Sequence, residues 1–563
     1  MKQASQRRAE LEKRHPAWRA MTIAGLQDKA THEFPDRPLI MTGDRTLTYS
    51  DVQTQSRKLA SGLIAAGLQP GEHVALIMAN FIEFPLVKLA IARAGAVCIP
   101  INFLLKAREL AYVLDQSDAS MLITMDAFSG LNYLAEIDSI AGDLPNVRET
   151  FVFPTGQGTA TDRPSLDDLA MMGTPESDAE LARREAAADG NATSDIIYTS
   201  GTTGQSKGVL LTHDMVLRAA YSSAVTRAFE DARRIQFALP MYHVFGYVEC
   251  FIGCMFVGGA IIPHATFEPE QMLGWAETLE STDMVCVPVM TQRLIDLARE
   301  RGFDAPSLHA MYNSGGVNHP GIWDEIREVL KVTEIHTGYG MSETTASTVC
   351  TRVEDGDDCL LNSNGRIKLA GVSGDPALGG KVAEYRVCDP HSGEVLPFGT
   401  SGELQARGPI ITRGYYKKPA ETAEAFTDDG WFKSGDVGQL TEEGFLTLTG
   451  RIKETYRCGG ETVMPREIED LFNDVPGIAQ ALVVGIPDRK MGEVGVLCLI
   501  ASQDTAPSDE DLIALCTRQL ARFKVPKHIL WLEEADIPLT VTGRPQKFKL
   551  AKLAETRVKE TTQ

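Results

Sequence analysis

The sequence of 563 residues is 43% hydrophobic and 23% charged, and its 76 acidic against 55 basic side chains leave a formal net charge of -21. A single hydrophobic core rarely grows beyond roughly 250–300 residues, so several compact units are expected, and the acidic surface excludes nucleic acid and anionic lipid as bulk partners. The 10 cysteines contain no CxxC pair, Cys250 and Cys254 coming nearest, which argues against clustered zinc and for reduced thiols in a cytoplasmic protein.

In chain order, the N-terminal MKQASQRRAELEKRH is charged and has no apolar segment of the secretory kind. Leu47 to Leu68 carries apolar residues at helical spacing and predicts a helix, with Ser50 or Asp51 as its cap. HVALIMAN reads as a buried parallel strand, and FPLVKLAIARAGAVCIPIN as a helix followed by another strand. This alternation runs for roughly 300 residues and predicts an α/β fold with parallel sheets. The longest apolar run, FIGCMFVGGAII from Phe251 to Ile262, is too short to span a bilayer and reads as buried, so no membrane insertion is expected.

From about Lys381 the pattern changes to short strands divided by Pro, Gly and Asp turns, as in a small β-rich subdomain. Beyond Gly450 helices and strands mix in a small α+β module, in which Pro465 suits a first helical position with Glu467 and Glu469 close behind. The expected organisation is a large N-terminal domain, 1–449, with subdomains of about 1–190, 191–360 and 361–449, then a mobile domain of 450–563.

The richest chemistry lies in YTSGTTGQSKGVLLTH, Tyr198 to His213. Two predicted strands flank Thr199, Ser200, Gly201, Thr202, Thr203, Gly204 and Lys207. Glycines let backbone N–H groups close on phosphate oxygens, hydroxyls donate further bonds, and the lysine supplies charge. The spacing is not that of a Walker A loop.

This segment resembles the phosphate loop of the adenylate-forming superfamily, which includes acyl-CoA synthetases, peptide-synthetase adenylation domains and firefly-type luciferases. Ser206 stands where that family usually has proline. Further segments follow in the family's order along nearly the whole chain. LPMYHVFGY resembles the stretch whose His243 closes over the acyl group; NSGGVN, with Gly315 and Gly316, resembles the adenine-binding turn. GYGMSETT resembles the stretch that brings Tyr339 and Gly340 to adenine, Ser342 to phosphate and Glu343 to Mg²⁺. The resemblance assigns the ribose to Asp436 and Arg451, the hinge to Lys453, and the channel for the CoA thiol arm to Gly459 and Gly460.

The resemblance also implies the reaction. A carboxylate attacks the α-phosphate of ATP, giving acyl-AMP and pyrophosphate; a thiol, usually that of CoA, then displaces AMP. The adenylating half uses a lysine near the C-terminus of the family's chains. In IPLTVTGRPQKFKL, alignment on Gly543 puts Arg544 at that position, and Lys547 falls on a second basic position. Arginine keeps the charge but replaces a compact cation by a wide planar fork, which is not conservative at a close-fitted site. Weak adenylation with an intact thioester-forming half is therefore expected, the acyl-AMP coming from a partner adenylating enzyme. Open alternatives are an ordinary two-step synthetase, an enzyme loading a carrier protein in trans, a luciferase-like oxidation and a non-catalytic nucleotide sensor. The acid is expected to be fatty, with an aromatic or polycyclic acid second, and a homodimer is left open.

Overall fold

The computed structural model describes residues 2–144, 146–199, 206–316, 318, 321–390, 392–458, 461–473, 475–502, 506–539 and 545–562. They divide into two compact units. The first is built from 1–314, 321–384 and 407–432, the second from 315–320, 385–406 and 433–563.

Two mostly parallel sheets form the first unit. The six-stranded sheet runs in the order Lys207–Thr212, Thr193–Thr199, Val97–Pro100, His73–Ile77, Ala119–Met125, Glu149–Phe153. Its central strands Val97–Pro100, His73–Ile77 and Ala119–Met125 are fully or nearly fully buried, as apolar runs in a parallel sheet require. Helix Tyr49–Ala65 packs in this unit. Its cap is Thr48, two residues before Ser50 and three before Asp51, the positions expected from sequence. The Thr48 hydroxyl accepts from the Asp51 amide at 3.1 Å while the Asp51 carboxylate accepts from the Thr48 amide at 2.9 Å. Asp51 is thus the reciprocal partner in a capping box, which only the backbone conformation of Thr48 reveals.

The seven-stranded sheet runs Glu334–His336, Ala310–Asn313, Asp283–Cys286, Arg234–Phe237, Ala260–Pro263, Pro38–Met41, Thr46–Thr48. Ile235, Asp283, Ala310 and Glu334 stand in register, as do Phe237, Val285, Tyr312 and His336, so all eight share one face. That face packs against helix His213–Thr226 and the π-helix Phe245–Ile252, within the core that also holds Ile235, Phe237, Val285 and Tyr312. The residues between them, Met284, Cys286, Met311 and Ile335, face a separate core. The apolar run Phe251 to Ile262 is buried throughout. No helix among the described residues is long and apolar enough to cross a membrane.

In the second unit, strands Glu384–Cys388, Gly402–Arg407, Phe432–Leu440 and Leu446–Arg451 form an ordered sheet. A further sheet places the long hairpin Ile478–Asp488 and Gly492–Ala501 against Tyr456–Cys458, with His528–Trp531 pairing in parallel to the second hairpin strand. Pro465 is the first residue of helix Pro465–Glu469. The ten cysteines are all free, and only Cys359 is not buried.

Candidate active site

The strand that leaves the glycine-rich loop begins at Lys207, opposite Thr199. Residues 412–416 lie along this strand: the Leu210 amide donates to the Gly414 carbonyl at 3.1 Å and the Tyr416 amide to that of Gly208 at 2.8 Å. The close pairing brings Tyr415 beside the loop lysine, whose ammonium is 4.8 Å from the ring centroid. The Tyr415 hydroxyl donates to Glu343 Oε1 at 3.0 Å. Burial, reinforced by the charge of Glu343, pushes the phenol far above its ordinary range, so Tyr415 stays a proton donor at every physiological pH. Lys207 and Glu343, 136 positions apart in the sequence (343 − 207), therefore meet through one aromatic ring. Sequence reasoning missed Tyr415. Its only signal was the aromatic pair in TRGYYKKP, 72 residues from Glu343.

Glu343 sits in a tight turn. Strand Gly338–Met341 pairs with Ala346–Cys350, and the 3-10 turn Ser342–Thr344 joins them. Thr345 and Ala346 take φ of 52° and 84°, a left-handed pair without glycine. Such backbone strain persists only where surrounding bonds hold it. Here the Thr345 hydroxyl donates to the Ile410 carbonyl at 2.7 Å, and the Thr412 amide to the Glu343 carbonyl at 2.7 Å. Gly340 lies so close to Ala346 and Ser347 that a Cβ would collide with their backbone. Tyr339 and Ser342 are buried, and the Ser314 hydroxyl of the adjoining NSGG turn donates to the Gly338 carbonyl at 2.7 Å. Gly315 has φ +94°, a conformation suited to glycine, and Gly316 is exposed.

His243 stands beyond the carboxyl end of Arg234–Phe237, half-buried, immediately ahead of the π-helix. The Phe245 amide donates to His243 Nδ1 at 3.2 Å, which leaves the ring proton of the neutral form on Nε2. Gly246 lets this segment close on the chain before it: a Cβ there would stand 2.6 Å from the Leu239 carbonyl oxygen. The π-helix is itself a rare conformation that concentrates at functional sites.

Within the second unit, Asp436 and Arg451 oppose each other across adjacent strands, and Arg451 Nε lies 2.8 Å from Asp436 Oδ1. Asp436 is buried. Lys453 belongs to the 3-10 turn Ile452–Glu454, which directly follows that strand. Lys547 opens the last helix, and its ammonium lies 2.7 Å from Glu469 and 3.6 Å from Glu454. Burial raises the Glu469 carboxyl, opposed by the Lys547 charge. Leu539 and Pro545 bridge the base of the segment that carries Arg544, and the Gln546 side chain donates to the Leu539 carbonyl at 2.7 Å. Arg544 itself, with Ser200, Gly201, Thr202, Thr203, Gly204, Gly459 and Gly460, lies outside the described residues.

Among the described residues no group of three or more His, Cys, Asp or Glu side chains could hold a metal unaided. Glu343, one carboxylate beside a phosphate-suited lysine, fits Mg²⁺ of the kind bound jointly by a protein oxygen and substrate phosphates.

A large N-terminal α/β domain of parallel sheets with a small C-terminal domain is the adenylate-forming enzyme fold. The chain belongs to the AMP-binding enzyme family: the family model matches residues 27–416, and that of the AMP-binding enzyme C-terminal domain matches 467–544. It is similar to the long-chain-fatty-acid–CoA ligase FadD13 of Mycobacterium tuberculosis, 31% identical over 89% of this chain and 92% of that one. A 3-(methyl-dioxo-octahydro-indenyl)propanoyl:CoA ligase of the same organism is 30% identical over 94% of this chain and 99% of its own length. In fold it is similar to the anthranilate CoA ligase AuaEII in complex with anthranoyl-AMP, with a TM-score of 0.82 and 22% identity, over 99% of this chain and 100% of that one.

Proposed function

We propose that the chain is an acyl-CoA ligase acting through an acyl-adenylate, and that Arg544 slows its adenylating half while the thioester-forming half stays competent. The observation that carries the ligase reading is the meeting of Lys207, Tyr415 and Glu343. A lysine from the phosphate loop and a carboxylate suited to magnesium stand on either side of one phenol. That arrangement suits a nucleotide whose phosphates bridge the two. The names of the relatives support CoA as the thiol acceptor.

In this reading Lys207 neutralises phosphate charge, and Glu343, bonded to the Tyr415 hydroxyl, would hold magnesium. Magnesium, when bound, supplies further neutralisation of the charge that builds on departing pyrophosphate. Tyr339, Gly340, Gly315 and Gly316 receive the adenine, Ser342 and the loop hydroxyls the phosphates, and Asp436 the ribose diol with Arg451 orienting it. His243, with its proton on Nε2, faces the acyl carboxyl oxygen as a donor. The carboxylate oxygen forms its bond to the α-phosphorus as the bond to pyrophosphate breaks. In the second half the CoA sulfur, deprotonated, bonds to the acyl carbon as AMP leaves. Domain 450–563 swings about Lys453 between the halves and brings Gly459 and Gly460 along the thiol arm.

Lys547 is engaged by Glu469 at 2.7 Å, which supports the view that it does not stand in for a lysine at position 544. A cation misfitted to the transition state costs on the order of 10²–10³ in rate. The acid is apolar: the segment after His243 is buried and almost wholly hydrophobic, and the relatives are named for long-chain and polycyclic acids.

Two assays test the proposal on the full-length chain. Exchange of labelled pyrophosphate into ATP, with decanoic acid present, is expected to be slow. Synthetic decanoyl-AMP with CoA is expected to give decanoyl-CoA readily. Arg544→Lys is expected to raise exchange at least about tenfold and to leave the second reaction within about twofold. Brisk exchange by the unaltered chain identifies an ordinary two-step synthetase and removes the arginine argument. Failure of both reactions while AMP still binds identifies a nucleotide sensor.

A further inference from the structure

The segment that carries His243 is held at its root by a side chain from the other sheet. Asn80 lies just beyond the carboxyl end of strand His73–Ile77 in the six-stranded sheet and is buried. Its Nδ2 donates to the Leu239 carbonyl at 2.9 Å, and its Oδ1 accepts from the Met241 amide at 2.8 Å. These partners fix which end of the amide is oxygen, since a carbonyl needs a donor and an N–H an acceptor. One side chain thus binds two alternate residues, 159 and 161 positions away, as the peptide of a neighbouring strand would.

The clamp sits on the turn that aims His243. The His243 amide donates at 3.1 Å to the carbonyl of Pro240, the residue between the two clamped ones. The Leu239 carbonyl that Asn80 holds is also the one that leaves no room for a Cβ at Gly246. Packing follows the same route as the polar bonds. Phe81, next to Asn80, meets Phe128 edge-on at 5.1 Å, and Phe128 lies 6.1 Å from Phe103. Phe103 in turn meets Tyr242, the neighbour of His243, at 5.6 Å. An apolar residue at position 80 would extend this packing but would not set the register of Leu239 and Met241; two opposed hydrogen bonds in apolar surroundings do. Ligands of α/β sheets collect beyond the carboxyl ends of the strands. Asn80 and His243 follow such ends in two different sheets, so the clamp ties the one set of loops to the other.

We infer that Asn80 is a positioning residue for His243 in acyl transfer; the inference rests on the ligase reading given above. Asn80 acts through the backbone. It fixes the chain from which the His243 ring reaches the acyl carboxyl oxygen, and the Phe245 amide at Nδ1 then sets the orientation of the ring. Displacing a reacting group by about 1 Å costs on the order of 10² in rate. The binding of CoA does not depend on His243 in this reading, so the loss falls on turnover.

The test is a double-mutant cycle on the full-length chain, read as decanoyl-CoA formed from decanoyl-AMP and CoA. Asn80→Ala removes both bonds; Asn80→Asp keeps an acceptor for Met241 and turns an oxygen toward the Leu239 carbonyl. Each is expected to lower kcat at least about tenfold while KM for CoA stays within about twofold. His243→Ala is expected to lower kcat at least as far. Adding Asn80→Ala to it is expected to cost no more than about twofold further, because a clamp has nothing to position once the ring is gone. If the two losses multiply in the double variant, or if the Asn80 variants or His243→Ala keep the parent kcat, the proposal is overturned. It is overturned too if both Asn80 variants lack a cooperative melting transition, since Asn80 then holds the fold rather than the ring. If the unaltered chain makes no decanoyl-CoA, the ligase reading itself fails, and this inference with it.

Discussion

Tyr415 shows how much one side chain decides at this site. Its hydroxyl donates to Glu343 and its ring faces Lys207, so Tyr415→Phe keeps the ring and removes one hydrogen bond from the carboxylate. We expect ATP–pyrophosphate exchange to fall about tenfold in that variant and the melting temperature to drop with it, because one hydrogen bond to a charged group contributes about 1.5–3 kcal/mol. Equal exchange in the two proteins would remove Tyr415 from the site. Glycine makes a second argument at this scale. Gly340 faces backbone rather than a flexible side-chain end, so Gly340→Ala cannot be relieved by a rotamer change. A loss of about 1–3 kcal/mol in urea denaturation is expected, together with loss of nucleotide binding.

At the scale of elements, the π-helix Phe245–Ile252 is tied down by charge as well as by packing. Glu249, fully buried, accepts from the Ser347 amide at 3.1 Å and from Lys368 Nζ at 2.7 Å. Ser347 belongs to the strand that follows Glu343, so one carboxylate joins the π-helix to the hairpin that carries Glu343. Burial opposes ionisation of Glu249, but Lys368 and the hydroxyls of Ser223 and Ser347 hold its carboxyl below the ordinary range. Removing one partner of such a pair strands the other. Lys368→Met should therefore cost about 3–5 kcal/mol by chemical denaturation, and the double variant with Glu249→Gln should recover much of it. A single variant as stable as the parent protein would show the pair to be incidental. The last helix follows the same logic on a smaller scale: Lys547 fixes its first turn to Glu469.

The molecule as a whole carries a pH signature. His15, His213 and His264 are lowered by burial to about 4, and His336 to about 3, from the ordinary 6.5 of a histidine. Below pH 6.5 the unfolded chain binds protons on these rings while the folded chain does not. Stability from them is thus complete above that pH and is lost as pH falls toward 4. Glu230, lowered to about 2, acts in the same direction below its ordinary value of 4.5. Each ring contributes a slope approaching 1.4 kcal/mol per pH unit within its window. The urea midpoint of the first unit is expected to drop steeply between pH 6.5 and pH 4.5 and to be flat from 7 to 8. A flat profile throughout would mean that these histidines are not held neutral.

Much of this was legible in the residues alone. Apolar runs fixed the parallel strands because a strand covered on both faces must be apolar throughout, and HVALIMAN became the strand His73–Ile77. Local chemistry placed Pro465 at a helix start for the same reason: its missing N–H costs nothing in a first turn. Thr48 escaped, since a cap is defined by backbone angles that Thr48, Ser50 and Asp51 could each have adopted. Tyr415 had only the aromatic pair in TRGYYKKP to mark it, and the Glu249–Lys368 pair had no signal in the chain order at all. Each depends on side chains brought together from strands far apart in sequence, and burial gives their hydrogen bonds and charges a weight that water would have taken away.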